Sequence, residues 1–324
     1  MQFIITKEWA GRCVRQFLRQ ELRLSVKMIK YLKYRPMGIC VNGESCTVRR
    51  VLATGDALDL VIEDRESDVA GEVTVEPVDL PLEILYEDSD LVVPSKPAEM
   101  PTHPSHGHHG DTVANALAFR YAKQGVPFVF RPINRLDRNT SGLLLIARNK
   151  MAAGRLSENM REGKIQKTYL AVLDGEMAVT EGRIDACLHR TAQSIIVREI
   201  CPPDTPDADP AVTLYRVLAA EHGHTLVLAY PITGRTHQLR VHFASLGHPI
   251  TGDDLYGTPS EDIPRHALHA ARLCFPHPST GACMEVTAPL PPDLQNLIAK
   301  HFPTFSADRQ SLCDILAQHE RRLV

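Results

Sequence analysis

Apolar and polar positions follow one pattern in the first 64 residues and another pattern later in the chain. Across residues 12–35 apolar residues recur at helical spacing, which predicts two short amphipathic helices with Ser25 as the N-cap of the second. Short β-prone runs at 38–41 and 57–62 flank the turn residues Asn42-Gly43 and Gly55-Asp56. Residues 1–64 are therefore expected to form a small domain of helices and strands.

From residue 81 onward strand-like and helix-like runs follow one another in an irregular order. The strands are predicted at 82–96, 142–148, 167–175, 225–231 and 283–289. The helices are predicted at 111–124, 150–162, 236–247 and 290–302. Because the order is not a strict strand–helix repeat, the pattern favours an α+β fold with a mixed or antiparallel sheet over a doubly wound one.

Composition shifts mark the boundaries of these parts. Residues 65–80 carry five acids without an apolar helical face, which predicts a linker before a larger domain at 81–300. Residues 301–324 are expected to form a helical tail, and the Pro- and Asp-rich residues 201–210 a surface loop.

Charge and composition restrict the class of protein. The chain has 324 residues, 44% of them hydrophobic and 23% charged, as in ordinary globular proteins. Its 36 Lys and Arg residues nearly balance 39 Asp and Glu residues. Positive charge for a polyanion must therefore be local. Residues 12–35 hold eight basic residues and one acid, Glu21, which indicates either a solvated helical face or a surface that binds a polyanion.

Other features argue against membranes, disulfides and metals. No apolar run approaches the roughly 18–20 residues of a membrane span, and the first residues have no signal-peptide pattern. We therefore expect a cytoplasmic protein. Eight scattered cysteines without a C-x-x-C pair predict reduced thiols and no zinc site. The run HPSHGHHG at 103–110 is expected to be an exposed turn, because it lacks the matched ligand spacing of a metal site.

Asp137 is the first candidate for chemistry. It lies between Arg135 and Arg138, immediately before the apolar run at 143–146. The two arginines would hold its carboxylate in the ionised form, and an ionised, positioned aspartate can be a nucleophile, a general base or a metal ligand. An aspartate that caps its own turn fits the same pattern.

Two further clusters carry polar groups. Arg235 and Arg240 stand around the start of a predicted helix, where they can bind phosphates, pair with a buried acid or remain ordinary surface arginines. Lys167 and Tyr169 lie on a predicted strand, where the tyrosine can equally serve sheet packing.

Taken in order, these clusters resemble the RluA-type RNA pseudouridine synthases over about residues 81–295. The motifs that carry the resemblance are Leu85-Tyr86-Glu87-Asp88, Lys96-Pro97, His103-Pro104, Arg135-Leu136-Asp137-Arg138-Asn139-Thr140-Ser141-Gly142, Lys167-Thr168-Tyr169-Leu170-Ala171, Thr233-Gly234-Arg235-Thr236-His237-Gln238-Leu239-Arg240-Val241-His242, Gly247-His248-Pro249-Ile250, Gly252-Asp253 and Tyr256-Gly257. More loosely, residues 1–64 resemble the small S-four-like RNA-binding domain often attached to such synthases. The implied fold is a mixed/antiparallel-sheet catalytic domain with a small N-terminal α/β RNA-binding domain.

The resemblance implies a reaction that needs no cofactor or metal, the isomerisation of uridine in RNA to pseudouridine. It places the family's essential aspartate at Asp137, as a nucleophile toward ribose or base or as a promoter of glycosidic cleavage. Tyr169 would stack on the flipped base and help remove the proton from carbon 5. Arg235 would pair with Asp137, and Arg135 would fill the gap left by the flipped uridine.

The resemblance also implies RNA as the partner, with large-subunit ribosomal RNA favoured and transfer RNA as the alternative. RNA contacts are expected from Arg12, Arg15, Arg19, Lys27 and Arg240. A monomer is the default expectation. A relative that binds RNA without turnover is the competing hypothesis.

The chain departs from the family pattern at three places. Asn134 stands where the family usually has His, Pro94-Ser95 replaces the usual Asn or Asp before Lys96, and Glu99 stands where the family favours Gly. An Asn can replace one imidazole hydrogen bond but cannot carry its proton. These differences predict altered loop support rather than loss of catalysis, and a divergent subgroup whose target can differ.

Overall fold

Two sheets organise the chain, in agreement with the predicted α+β class. The computed structural model describes residues 1–22, 24, 26–61, 75–191, 194 and 196–305. Within this part, four strands near the N-terminus form an antiparallel sheet, and twelve later strands form a mixed sheet. Most of the predicted linker, the tail from residue 306 and the predicted N-cap Ser25 lie outside the described residues.

The N-terminal sheet has the strand order β1-β4-β2-β3. Its strands are β1 (Gln2–Ile4), β2 (Ile39–Val41), β3 (Glu44–Ser45) and β4 (Ala57–Leu60). Two helical segments are confirmed near the predicted positions: α1 (Val14–Gln16), which continues into a π-helical turn at Phe17–Glu21, and α2 (Val26–Tyr34). The first helix is shorter than its apolar spacing predicts, because the chain widens into the π turn after one α turn.

The larger sheet contains the remaining strands of the described chain. These are β5 (Glu83–Glu87), β6 (Leu91–Lys96), β7 (Arg131–Pro132), β8 (Ser141–Leu143), β9 (Ile146–Ala147), β10 (Gln166–Asp174), β11 (Glu181–Arg190), β12 (Arg198–Cys201), β13 (Asp209–Glu221), β14 (His224–Pro231), β15 (Leu268–Pro276) and β16 (Cys283–Thr287). Their order is β12-β11-β13-β14-β10-β15-β8-β6-β9-β7, with β16 on β15 and β5 on β6. The helices are α3 (Val113–Lys123), α4 (Lys150–Arg161), α5 (Gln238–Ser245) and α6 (Pro292–His301).

The predictions of single strands over 82–96 and over 142–148 are wrong. The first range forms the antiparallel pair β5 and β6, and the second is divided as well. The segment forms two short strands, β8 and β9, which pair with different partners along β6. Between the two strands the amide of Leu145 donates to the side chain of Asn134 instead of to β6. Within β8, Gly142 has a φ of +110°, and a Cβ there would lie 2.2 Å from the carbonyl oxygen of Ala270 on the parallel strand β15. Only a glycine permits this backbone approach.

A part of the sheet has no counterpart in the sequence prediction. The prediction does not include strands β7, β11, β12, β13 and β15, although a loop lies between β12 and β13 within the range expected at 201–210. Most positions of β11 and β12 are exposed or half-buried, so their apolar signal is weak.

The N-terminal part packs against helix α4. The side chain of Met151 belongs to the N-terminal hydrophobic core rather than to the core of the large sheet. Arg155 donates hydrogen bonds to the carbonyl oxygens of Leu22 and Pro278, and the Lys150 ammonium lies 4.1 Å from the centre of the Tyr31 ring. These contacts couple the two parts through one helix.

Candidate active site

Asp137 lies in the turn between β7 and β8. Its backbone carbonyl accepts a 3.1 Å hydrogen bond from the amide of Thr140, and its side chain is 22% exposed. Two groups from the chain around α5 face the carboxylate: His237 Nε2 and Arg240 Nη1 each lie 3.9 Å from Asp137 Oδ2. The carboxylate is therefore accessible on one side and faces nitrogen atoms on the other.

Arg240 is held by a buried acid. Its Nε and Nη2 donate 2.7 Å hydrogen bonds to the two oxygens of Asp253, which is itself completely buried. Burial opposes the charge on the guanidinium, but the Asp253 bonds and the nearby Asp137 charge outweigh it and raise the pKa of Arg240. Asp253 also accepts bonds from the backbone amides of Leu255 and Tyr256, so a fixed positive charge stands beside Asp137.

The predicted pairing of Arg235 with Asp137 is wrong. Arg235 Nη1 lies 3.0 Å from Asp209 Oδ1, and its Nε donates to the carbonyl oxygen of Pro210. His237, at the N-cap of α5, has a left-handed φ of 58°, so the chain changes direction between Arg235 and the helix. The exposed Arg235 therefore faces the first residues of β13, while Arg240, within the helix, points inward.

Tyr169 lies in the middle of the sheet, on β10. It is paired with Ala229 of β14 on one side and with Ala270 of β15 on the other. Because cross-strand neighbours share a face, two small side chains flank the ring. Burial and then the charge of Asp137 raise the pKa of the Tyr169 phenol. The phenol is therefore neutral near pH 7 and close to the carboxylate.

A buried lysine anchors the turn that carries Asp137. The Lys96 ammonium is 1% exposed and donates three hydrogen bonds of 2.8 Å, to the carbonyl oxygens of Pro97, Met100 and Arg138. Burial and then the charge of Arg265 lower the pKa of Lys96 to about 7, which the charge of Asp137 opposes. All three donors of the ammonium are used, so the residue after Asp137 is fixed to β6.

The other end of the turn is anchored by residues just before and within β15. His266 Nε2 bonds to Thr140 Oγ1 at 2.8 Å, and His269 Nδ1 bonds to Ser141 Oγ at 2.9 Å. Arg265 donates to the carbonyl oxygen of Asn139. Burial lowers the pKa of both histidines to about 3, so they act as neutral groups.

The departures from the family pattern have visible structural roles. Asn134 accepts a 2.7 Å hydrogen bond from the amide of Leu145 and donates to the carbonyl oxygen of Leu143, so it supports the backbone between β8 and β9. Ser95 of β6 pairs with Leu143 of β8, so the substitution at this position does not interrupt the strand. Glu99 has a φ of 67°, a left-handed conformation that favours glycine.

The RNA contact predicted for Arg240 is wrong, because its side chain is buried and bound to Asp253. The other basic residues expected to bind RNA are spread over two surfaces. Arg12, Arg15 and Arg19 are exposed on the N-terminal part. Lys27 belongs to α2, but its side chain lies outside the described part of the chain. Arg135 is exposed near Asp137, and its charge contributes, after burial, to a lowered pKa of His103.

Sequence reasoning did not foresee several groups around Asp137. Lys96, His237 and Asp253 occur in the motifs of the family resemblance, which assigns them no role, and His266 and His269 lie outside those motifs. Lys96 and His269 are polar residues within buried strands, which is a signal that the sequence does carry, whereas the other three lie outside the strands. Within the described residues, no three His, Cys, Asp or Glu side chains are grouped to hold a metal ion, and no helix is long and apolar enough to cross a membrane.

Comparisons with known proteins identify the family. A family model described as RNA pseudouridylate synthase matches residues 90–245, a range that includes Asp137, Tyr169 and Arg240. The chain belongs to the RNA pseudouridine synthase family, and it is therefore an isomerase that acts on RNA.

Individual relatives support this assignment over most of the chain. An uncharacterized RNA pseudouridine synthase of Bacillus subtilis, YjbO, is 39% identical over 292 residues, covering 90% of this chain and 97% of the relative. Ribosomal large subunit pseudouridine synthase C of Vibrio cholerae is 33% identical over 313 residues, covering 93% and 96%. The solved structure of human RNA pseudouridylate synthase domain containing 1 is 33% identical, with a TM-score of 0.55, and covers 69% of this chain and 88% of that one.

Proposed function

We propose that this synthase isomerises specific uridines of large-subunit ribosomal RNA, with Asp137, Tyr169 and Arg240 at its catalytic centre. The observation that carries the proposal is the convergence of these three side chains from separate parts of the sequence. The name of the Vibrio cholerae relative supports a ribosomal target, and transfer RNA is the alternative.

Asp137 is the group that attacks or promotes cleavage in this proposal. Either route requires an ionised carboxylate. The neighbouring Arg240 favours that form, because an opposite charge nearby stabilises it. The role that the sequence assigned to Arg235 therefore passes to Arg240, whose orientation is set by Asp253.

Tyr169 provides a surface for the target base. An enzyme that works on a base must take it out of its stack, and the exposed Arg135 would then fill the space it leaves. The small neighbours Ala229 and Ala270 leave room for a base against the tyrosine ring. Because the resting phenol is neutral, it can hydrogen-bond and pass on a proton more readily than it can act as a base.

The reaction conserves every atom of the nucleotide. The bond between ribose carbon 1′ and base nitrogen 1 breaks, and a bond between carbon 1′ and base carbon 5 forms. Carbon 5 then loses its proton and nitrogen 1 gains one. The protein has to hold the base while it turns and to assist this proton transfer beside Asp137.

The N-terminal residues 1–64 serve as the RNA-binding domain in this proposal, an S-four-like module in front of the catalytic domain at 81–300. Exposed arginines on that module, Arg12, Arg15 and Arg19, would contact phosphates, together with Lys27. Contacts to phosphates give affinity without sequence specificity, so the module supports RNA binding but does not determine which RNA is bound. The protein acts as a monomer in this proposal.

Pseudouridine mapping of ribosomal and transfer RNA tests the proposal. Cells lacking the gene would be complemented with the wild type, with Asp137→Ala, or with Asp185→Ala, an exposed carboxylate on β11, as a matched control. We expect large-subunit sites to lose the modification and to regain it with the wild type and the control only. Loss confined to transfer RNA would refute the ribosomal target, and restoration by Asp137→Ala would refute the assigned aspartate.

A further inference from the structure

Lys167 is a buried cation whose hydrogen-bonding capacity is largely unused. Its side chain is 9% exposed, yet within the described residues its one hydrogen bond is a 3.4 Å contact from Nζ to the carbonyl oxygen of Thr233. Lys96, by comparison, satisfies all three donors at 2.8 Å. Burying a charge is costly unless it is paired, so the two remaining donors of Lys167 call for an acceptor from outside the chain.

The approach to this ammonium is kept open by a glycine. Gly234 is exposed, and its φ lies outside the left-handed region, so its backbone conformation does not require glycine. A Cβ at this position would lie 3.5 Å from Lys167 Nζ. Any longer side chain at 234 would extend from that point and could cover the ammonium.

Lys167 also lies beside the candidate active site. It precedes Tyr169 by two residues on β10, which places the two residues about 7 Å apart along the strand, on either side of a shift in the register with β15. The Thr233–Gly234 turn leads into α5, which carries Arg240 against Asp137. A nucleotide whose base rests on Tyr169 would thus place its own phosphate or a neighbouring phosphate within reach of Lys167.

We propose that Lys167 binds a backbone phosphate of the substrate RNA, through the opening that Gly234 leaves above its ammonium. This inference rests on the proposed function, since it assigns a phosphate subsite to the same RNA-binding cleft. Burial lowers the pKa of the free Lys167 to about 8, so the group is largely charged at neutral pH, and a bound phosphate favours the charged form further.

Binding of a labelled single-stranded oligouridylate tests the proposal without requiring turnover. Lys167→Met is compared with Lys164→Met. Lys164 lies three residues before Lys167, is exposed and pairs with Glu162. We expect Lys167→Met to raise Kd about tenfold, as for the loss of a hydrogen bond to a charged group. The slope of log K against log salt should also fall by about 0.7. Lys164→Met should change neither quantity, and a Lys167→Met protein with wild-type Kd and slope would overturn the proposal.

A second variant separates the subsite from a structural role. Gly234→Val leaves the lysine in place and covers it from outside, so it should weaken oligouridylate binding while thermal unfolding of the protein stays close to wild type. If folded Gly234→Val binds oligouridylate with wild-type affinity, phosphate does not reach Lys167 past residue 234. If mapping shows no modification of ribosomal RNA, the ribosomal target fails, but these binding data still decide whether Lys167 contacts phosphate.

Discussion

The guanidinium of Arg240 lies 3.9 Å from the carboxylate of Asp137. It can hold that position because its other nitrogens are fixed by two hydrogen bonds to the buried Asp253. A charge positioned before the substrate arrives needs no reorganisation during the reaction, which is the usual source of electrostatic catalysis. The orientation of the arginine is thus a property of the folded protein rather than of the complex with RNA.

Arg240→Lys should therefore lower the single-turnover rate of pseudouridine formation by about 10²-fold. A lysine keeps the charge but cannot make the paired hydrogen bonds to Asp253. Arg235→Lys is the matched control and should leave the rate nearly unchanged. Its partner Asp209 is exposed, and an exposed ion pair contributes about 0–1 kcal/mol to stability. Rates measured on an unmodified transcript containing the mapped site would check both variants, and equal losses would contradict the division of roles between the two arginines.

Glu99→Gly should stabilise the protein. The left-handed φ of Glu99 costs about 1–2 kcal/mol, and the greater freedom of glycine in the unfolded chain offsets about half of that gain. We expect a net increase of about 0.5–1 kcal/mol in the free energy of unfolding, measured by urea denaturation. Ala98→Gly, at a neighbouring residue outside the left-handed region, should instead destabilise. A stabilising effect at both positions would point to a cause other than strain.

Stability should fall as the pH drops below 6.5, because His266 and His269 are neutral in the folded protein. Their folded pKa of about 3 lies below the ordinary value of 6.5, so the unfolded chain binds more protons between these values. At pH 5.5 each histidine should lower the free energy of unfolding by about 1.4 kcal/mol relative to its value at pH 7.5.

Urea denaturation of His269→Gln at the two pH values checks this expectation. The difference in the free energy of unfolding between pH 7.5 and pH 5.5 should be about 1.4 kcal/mol smaller than in the wild type. The exposed His106→Gln should leave the difference unchanged. A His269→Gln protein with the wild-type difference would show that this ring is not the source of the pH dependence.

RNA binding should depend on salt through the N-terminal arginines. Replacing Arg12, Arg15 and Arg19 together by Gln should lower the slope of log K against log salt by up to about 2 for single-stranded RNA. A triple replacement of the exposed Arg161, Lys164 and Arg183 is a control of equal charge. An unchanged slope in the N-terminal variant would remove these residues from the interface.

Ordered motifs and local periodicity predicted the fold class and most helices, since both depend on nearby residues. Helices α3, α4 and α6 begin and end within a few residues of their predicted limits. Strand β11 and the edge strand β12 were missed because most of their positions are exposed or half-buried, which weakens the apolar signal there. The partner of Asp137 was mistaken because spacing alone cannot show the turn of the backbone at His237.

Anchoring groups around the Asp137 turn were also beyond sequence reasoning. Lys96 acts through three backbone carbonyl oxygens, and backbone acceptors have no signature in the amino-acid sequence. His266 and His269 reach Thr140 and Ser141 across more than 120 positions of chain. Such contacts are set by the register of β8 and β15, which only the folded sheet defines.

The position of Met151 limits how synthases of this design can exchange their N-terminal modules. A recombination that joined a foreign module at the linker would bring a new surface against Met151 and remove the Leu22 carbonyl that Arg155 binds. A successful exchange would therefore have to change helix α4 together with the module. The exchangeable unit thus includes residues of the catalytic domain as well as the segment before the linker.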